Sequence, residues 1–216
     1  MSTVVLVRPG CTDFDEQKRI QGSLELPLND RGQSQLTKVI DALRDQPVEA
    51  VLSGPSEPCA SVAAAIASSL DVKHKERDDL RNLDQGLWQG LSLEEVRRKF
   101  PSVFRQWEEA PETVCPPNGE TTTDALERLA GVLKKPLKKY GCFAVVASEP
   151  LASLISFTLR GTEPDDLCSS LFGCCDDNLV EVIETSGTNG HRVGASHLIP
   201  LTTDPEPVGN DCSSDE

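Results

Sequence analysis

Apolar positions along the chain follow two rhythms. Thr3 to Val7 and Phe143 to Ala147 are short, continuous apolar runs, each stopped by a proline-bearing turn, Arg8-Pro9-Gly10 and Ser148-Glu149-Pro150. Runs of this length between turn signals read as buried strands. Leu36, Val39, Ile40 and Leu43 recur at the spacing of one helical face from a start at Asn29 to Gly32, and Glu49 to Leu52 predicts the next strand. Ser61 to Leu70 predicts an alanine-rich helix, followed by a strand-like turn into Arg77 to Leu83. In Ser92-Leu-Glu-Glu95 the hydroxyl can take the Glu95 amide while the Glu95 side chain returns to the Ser92 amide, so a helix starts there. Thr123 to Val132 and Leu151 to Leu159 predict two more helices, and Asn178 to Glu184 and His191 to Leu201 predict closing strands joined through a Gly187 to Gly190 turn. No internal repeat is visible. Strands alternating with helices predict a three-layer α/β/α domain over residues 1–201, its mostly parallel sheet covered on both faces and the Thr3 strand central.

Composition narrows the function classes. A chain of 216 residues suits one domain with a sizeable core. Its formal charge of −14 opposes a phosphate backbone, which argues against nucleic-acid partners. No apolar run approaches the roughly 18 residues of a membrane span, and the first ten residues lack a cleavable signal pattern, so a cytoplasmic protein is expected. On that basis the eight cysteines are expected to be reduced thiols. Cys168, Cys174 and Cys175, with His191 and His197 beyond them, lack zinc spacing, and no phosphate-binding glycine loop or serine nucleophile elbow is present; neither metal nor cofactor is expected. From Thr202 onward five acidic residues stand without a Lys or Arg, which predicts a disordered acidic tail over 202–216, read as a solvated terminus. Lys134, Lys135, Lys138 and Lys139 offer a site for an anionic partner, or a solvated helix end suited to the helix dipole; the second is the simpler reading. Asp13-Phe-Asp15 imitates an aspartyl-phosphate pair without its accompanying motifs and reads as a solvated loop.

Six blocks occur in an order that resembles the histidine phosphatase superfamily, the phosphoglycerate-mutase-like proteins. They are Leu6 to Thr12 with Arg19-Ile-Gln-Gly22; Leu26-Pro-Leu28 with Arg31-Gly-Gln33; Leu52-Ser-Gly-Pro55; Leu80 to Leu91; Pro117 to Thr121; and Val145 to Pro150. The likeness runs from about residue 3 to 160 and implies that family's fold. It also implies where a phosphoryl-transfer site would lie. Arg8 is kept, but the nucleophilic histidine falls on Pro9, the second arginine on Pro58, the proton-donating carboxylic acid on Asn82 and the second histidine on Glu149.

Four of these five positions have therefore changed type. Proline carries no side-chain nucleophile, which closes the phosphohistidine route at position 9. An asparagine donates no proton as an acid does, a loss of roughly 10²–10⁴ in rate. Pro58 removes a charge-assisted clamp of roughly 1.5–3 kcal/mol. A carboxylate at 149, about 4 Å from a phosphoryl oxygen, would repel each unit of charge by roughly 4 kcal/mol at an effective dielectric near 20. Arg8 then has two available roles, as a remaining phosphate ligand or as a partner for Glu149 across the pocket. Pro9, Pro58 and Pro150 would stiffen the rim, although Pro58 reads more simply as the first residue of the following helix. The pocket candidates are Arg8, Gly10, Cys11, Asp15, Gln21, Gly22, Glu149 and Pro150.

The expectation is a catalytically inactive member with a binding, scaffolding or regulatory role toward an unknown protein or small molecule. Two alternatives stay open. One is an enzyme of altered chemistry using Glu149, Cys11 or Asp84; the other is a phosphatase or mutase drawing on His74, His191 or His197.

Overall fold

The structure is a computed structural model that describes residues 2–109, 114–162, 178–185 and 193–201. Strand β1 (Ser2–Val7) leads into a one-turn helix α1 (Asp13–Glu16) and then α2 (Asp30–Leu43). Next come β2 (Ala50–Ser53), α3 (Cys59–Ser69) and β3 (Lys73–Glu76). Two short helices, α4 (Leu93–Lys99) and α5 (Pro101–Glu109), precede the long α6 (Thr122–Lys139) and β4 (Cys142–Val146). Helix α7 (Leu151–Arg160) and strands β5 (Val180–Thr185) and β6 (Val193–Ile199) complete the described elements.

The six strands form one sheet in the order β3-β2-β4-β1-β5-β6. β1 to β4 run parallel, β5 is antiparallel to β1, and β6 is antiparallel to β5. β1 is central, and alternation along it divides the core. Val4 and Leu6 face Leu129, Leu133, Leu154 and Ile155 of α6 and α7, whereas Val5 and Val7 face Val39, Leu43, Val62 and Ile66 of α2 and α3. Both faces of the sheet are thus covered, giving the three expected layers. A third cluster, in which Trp88 meets Trp107 edge-on at 5.7 Å with Phe104 alongside, gathers Ile20, Val96 and Val114 in the segments outside the sheet.

Several elements differ from the expectation, each for a physical reason. The strand after α3 is β3, Lys-His-Lys-Glu, not the turn into Arg77 to Leu83; an edge strand paired to β2 on one side needs no apolar alternation, and its charges suit an edge. Asp78–Leu80 is a single 3₁₀ turn. Asp13 to Glu16 is not a solvated loop: Thr12 caps α1 through a capping box, and Asp15 is buried beneath it. Helix α6 continues through Pro136, which is itself buried with Leu133, so a proline signal that ends many helices does not end this one. Pro58 is the N-cap of α3 rather than its first residue. The Gly187 to Gly190 turn, the 202–216 tail, His191 and the cysteines at 168, 174 and 175 lie outside the described residues. Among the described residues no helix is long and apolar enough to cross a membrane.

Candidate functional site

Parallel strands deliver their following loops to one edge of the sheet. Val7 of β1 and Ser53 of β2 are both paired with Val146 of β4, so the three strands end level. Arg8, the Gly54 to Pro58 turn and Ser148-Glu149 emerge side by side. Gly10 turns the first loop at φ +112°, a conformation that favours glycine, and Gly22, at φ +58°, lets the following loop lie against the Gln89 side chain.

Two small hollows share Gln21 and Ser148 as a common wall. One is lined by Arg8, Pro9, Gly10, Asp15 and Glu149; the other includes Gly22, Glu57, Cys59, Arg81 and Asn82. Among the described residues, no histidine lines either. The structure therefore brings together Arg8, Pro9, Gly10, Asp15, Gln21, Gly22, Asn82 and Glu149 of the residues singled out from sequence. Three others stand back. Cys11 is fully buried, its amide donating to Gln35 Oε1 at 2.9 Å; Pro58 and Pro150 are buried N-caps of α3 and α7, each preceded by a cis peptide bond. Cys11 is also disulfide-bonded, against the expectation of reduced thiols, whereas Cys59, Cys115 and Cys142 are free.

Arg8, partly buried, and Glu149, buried, meet in an ion pair. The Arg8 Nε donates to Glu149 Oε1 at 2.6 Å, and the side chains are 16% and 7% exposed, so solvent screens the contact little. The second carboxylate oxygen is satisfied as well. Ser153 donates to Glu149 Oε2 from its amide at 3.2 Å and from its hydroxyl at 2.8 Å. Ser153 lies in the first turn of α7, where a carboxylate also benefits from the helix dipole. Both oxygens of Glu149 are thus committed to the protein.

Behind this pair the charges alternate. Arg8 Nη1 lies 3.8 Å from Glu181 Oε2, and Glu181 Oε1 accepts from Arg160 and, at 3.0 Å, from the Ser156 hydroxyl. Glu181 is 3% exposed and projects from β5 opposite Leu6 of β1. Glu181, Arg160, Ser153 and Ser156 were missed by sequence reasoning. Their signals are a carboxylate inside the apolar run Leu179 to Ile183, and polar residues 153, 156 and 160 along one face of an otherwise apolar helix.

Asn82 serves the pocket wall with its amide. Its Nδ2 donates to the carbonyls of Gly22 and Glu149, both at 2.9 Å, and its Oδ1 accepts from the Leu151 amide at 3.4 Å. Cys59 and Ser148 share a hydrogen bond of 3.2 Å, and burial pushes the Cys59 thiol up to about 11, far from a ready nucleophile at neutral pH. Asp84 Oδ1 accepts from the Gly86 amide at 2.8 Å and from Gln89 Nε2 at 3.2 Å, holding a turn. His74 shares a 2.8 Å hydrogen bond with Ser53 on the β2–β3 pair, and His197 lies on edge strand β6.

Comparison with known proteins gives a concordant result. The family model described as histidine phosphatase superfamily (branch 1) matches residues 4–182. An uncharacterized phosphatase, PhoE, of Bacillus subtilis is 27% identical over 184 residues, covering 83% of this chain and 88% of its own. Phosphoserine phosphatase 1 of Hydrogenobacter thermophilus is 29% identical over 140 residues, 65% of this chain and 66% of that relative. Among solved structures, YhfR of Bacillus stearothermophilus superposes with a TM-score of 0.76 at 21% identity, over 93% of this chain and 96% of its own.

Proposed function

Because the chain belongs to the histidine phosphatase superfamily, matched from residue 4 to residue 182, we propose that it keeps the family's fold without its phosphoryl transfer and works as a binding or regulatory protein. The observation that carries this reading is the Arg8–Glu149 ion pair. A phosphate dianion entering between them would have to displace a carboxylate held by an arginine and a helix N-terminus, and would meet that carboxylate's charge at close range. Pro9 supplies no attacking atom, and Asn82 is engaged in holding two loops together. The altered-chemistry alternative has little to draw on, since Glu149, Asp84 and Cys11 are all bonded within the protein.

A second reading, a working phosphatase, is favoured by the relatives' names, including the Bacillus subtilis protein that aligns over 83% of this chain. One experiment separates the two. The protein and an Arg8→Ala variant are incubated with p-nitrophenyl phosphate, phosphoserine and 3-phosphoglycerate, and released phosphate and intact mass are followed. The proposed reading expects equal, background release and no added mass. Turnover lost in Arg8→Ala, or a covalent phosphoryl adduct, establishes the phosphatase.

A further inference from the structure

Away from the pocket, the corner where the edge strand β3 meets the end of α6 holds a cluster of titratable groups that the proposed function does not use. Tyr140 is the sole tyrosine of the chain. It follows the last residue of α6 and lies half-buried, its ring tilted against Phe143 at 6.0 Å. The Lys75 ammonium donates to the phenolic oxygen at 2.5 Å. The ammonium groups of Lys75 and Lys139 both lie 5.2 Å from the ring centroid. Two cations thus face one phenol. The nearby carboxylate of Glu49 is occupied by the amides of Gly141 and Cys142, at 2.6 and 3.2 Å.

We propose that Tyr140 is an acyl-accepting modification site, its oxygen held for nucleophilic attack by Lys75 and flanked by Lys139. A hydrogen bond from an ammonium favours the phenolate over the phenol, and the added charge of Lys139 acts in the same sense; the Tyr140 hydroxyl is lowered from its usual value, chiefly by Lys75.

The step balances simply. The phenol gives its proton to solvent, its oxygen forms a bond to the acyl carbonyl carbon, and the bond from that carbon to the leaving group breaks. The leaving group departs with the electron pair and is protonated by water if basic. Activated acyl donors are the class this site takes, and acyl phosphates suit it best, since an anionic leaving group would be drawn to the two lysines.

The test uses the folded full chain and N-acetylimidazole at neutral pH. Acetylation is followed by intact mass, by the absorbance of the single tyrosine and by reversal with hydroxylamine, which cleaves the phenyl ester but not an acetylated lysine. Tyr140 should be acetylated several-fold more slowly in Lys75→Met than in the unaltered protein, with Lys139→Met between them and Lys99→Met, an exposed lysine of α4, unchanged. With the free thiols first alkylated by iodoacetamide, so that no hydroxylamine-labile thioester forms on Cys115, Tyr140→Phe should abolish the hydroxylamine-reversible product. A spectrophotometric titration should place the tyrosinate midpoint lower in the unaltered protein than in Lys75→Met. Equal acetylation rates with coincident titrations in those two proteins, or acetylation confined to lysines, would overturn the proposal.

Discussion

Asn82 is joined to Glu149 through the main chain: its amide nitrogen donates to the Glu149 carbonyl at 2.9 Å while also reaching the carbonyl of Gly22 at the same distance. One side chain therefore ties the 21–24 loop to the turn that presents the charged pair. A carboxylate of the same size has no proton to donate at neutral pH and would face both carbonyls. Asn82→Asp should cost about 2 kcal/mol, the usual scale for leaving partly buried acceptors without their donor. Urea denaturation should show a lower midpoint with an unchanged slope. Asn82→Asp at wild-type stability would show that the tie is dispensable.

The family resemblance placed Arg8 and Glu149 at one pocket and left Arg8 two roles; the structure joins the two because they follow the ends of neighbouring parallel strands in which Val7 and Val146 are in register. Strand ends are legible; what lies behind them is less so. Glu181 was missed because it reaches the site from an antiparallel strand far along the chain, and a single acidic residue among valines gives no periodic signal. Asp15 was misread for a different reason. The Thr12 to Asp15 spacing matches the Ser92 to Glu95 spacing, and both form capping boxes, but α1 is too short for any hydrophobic repeat to announce it. Strand β3 was missed because its stabilisation comes from backbone pairing with β2, which residue type does not report.

On the proposed reading, Glu149 also sets what the pocket accepts. In Glu149→Gln the negative charge is removed while the side chain keeps an oxygen to accept from Arg8. At about 4 Å and an effective dielectric near 20, the lost repulsion is about 4 kcal/mol per unit of phosphate charge, and solvent near the opening reduces it. Titration calorimetry should show inorganic phosphate binding Glu149→Gln at least about 100-fold more tightly than the unaltered protein, which corresponds to about 2.7 kcal/mol. Equal phosphate affinity in the two proteins would remove the electrostatic part of the argument.

The Cys59 thiol links stability to alkaline pH. Burial raises it from 9.0 to about 11 despite the hydrogen bond with Ser148. In the unfolded chain the thiol ionises first, so above pH 9.0 the unfolded state binds fewer protons than the folded one and stability falls with rising pH until about 11. Two pH units correspond to about 3 kcal/mol. Cys142, raised by burial and by the Glu49 charge, acts in the same direction. Denaturation curves across this window should lose stability more steeply for the unaltered protein than for Cys59→Ala; parallel losses would mean that Cys59 ionises normally in the folded state.

The alternating charges predict coupling between residues that do not touch. Arg8 bonds Glu149 and approaches Glu181 at 3.8 Å, and Glu181 also binds Arg160 and Ser156. Glu181→Gln alone should be destabilising, by about 2 kcal/mol, because the partly buried Arg8 and Arg160 lose a buried counter-charge. With Glu149→Gln added, Arg8 is left without either carboxylate. The double variant should therefore be less stable than the sum of the singles, with an interaction energy of about 1 kcal/mol from a double-mutant cycle in urea. Strict additivity would indicate that Arg8 draws its stabilisation from Glu149 alone and that Glu181 belongs to Arg160. The sign of the cycle thus decides whether the pocket pair is an isolated closure or the end of a network running through the sheet to the far end of α7.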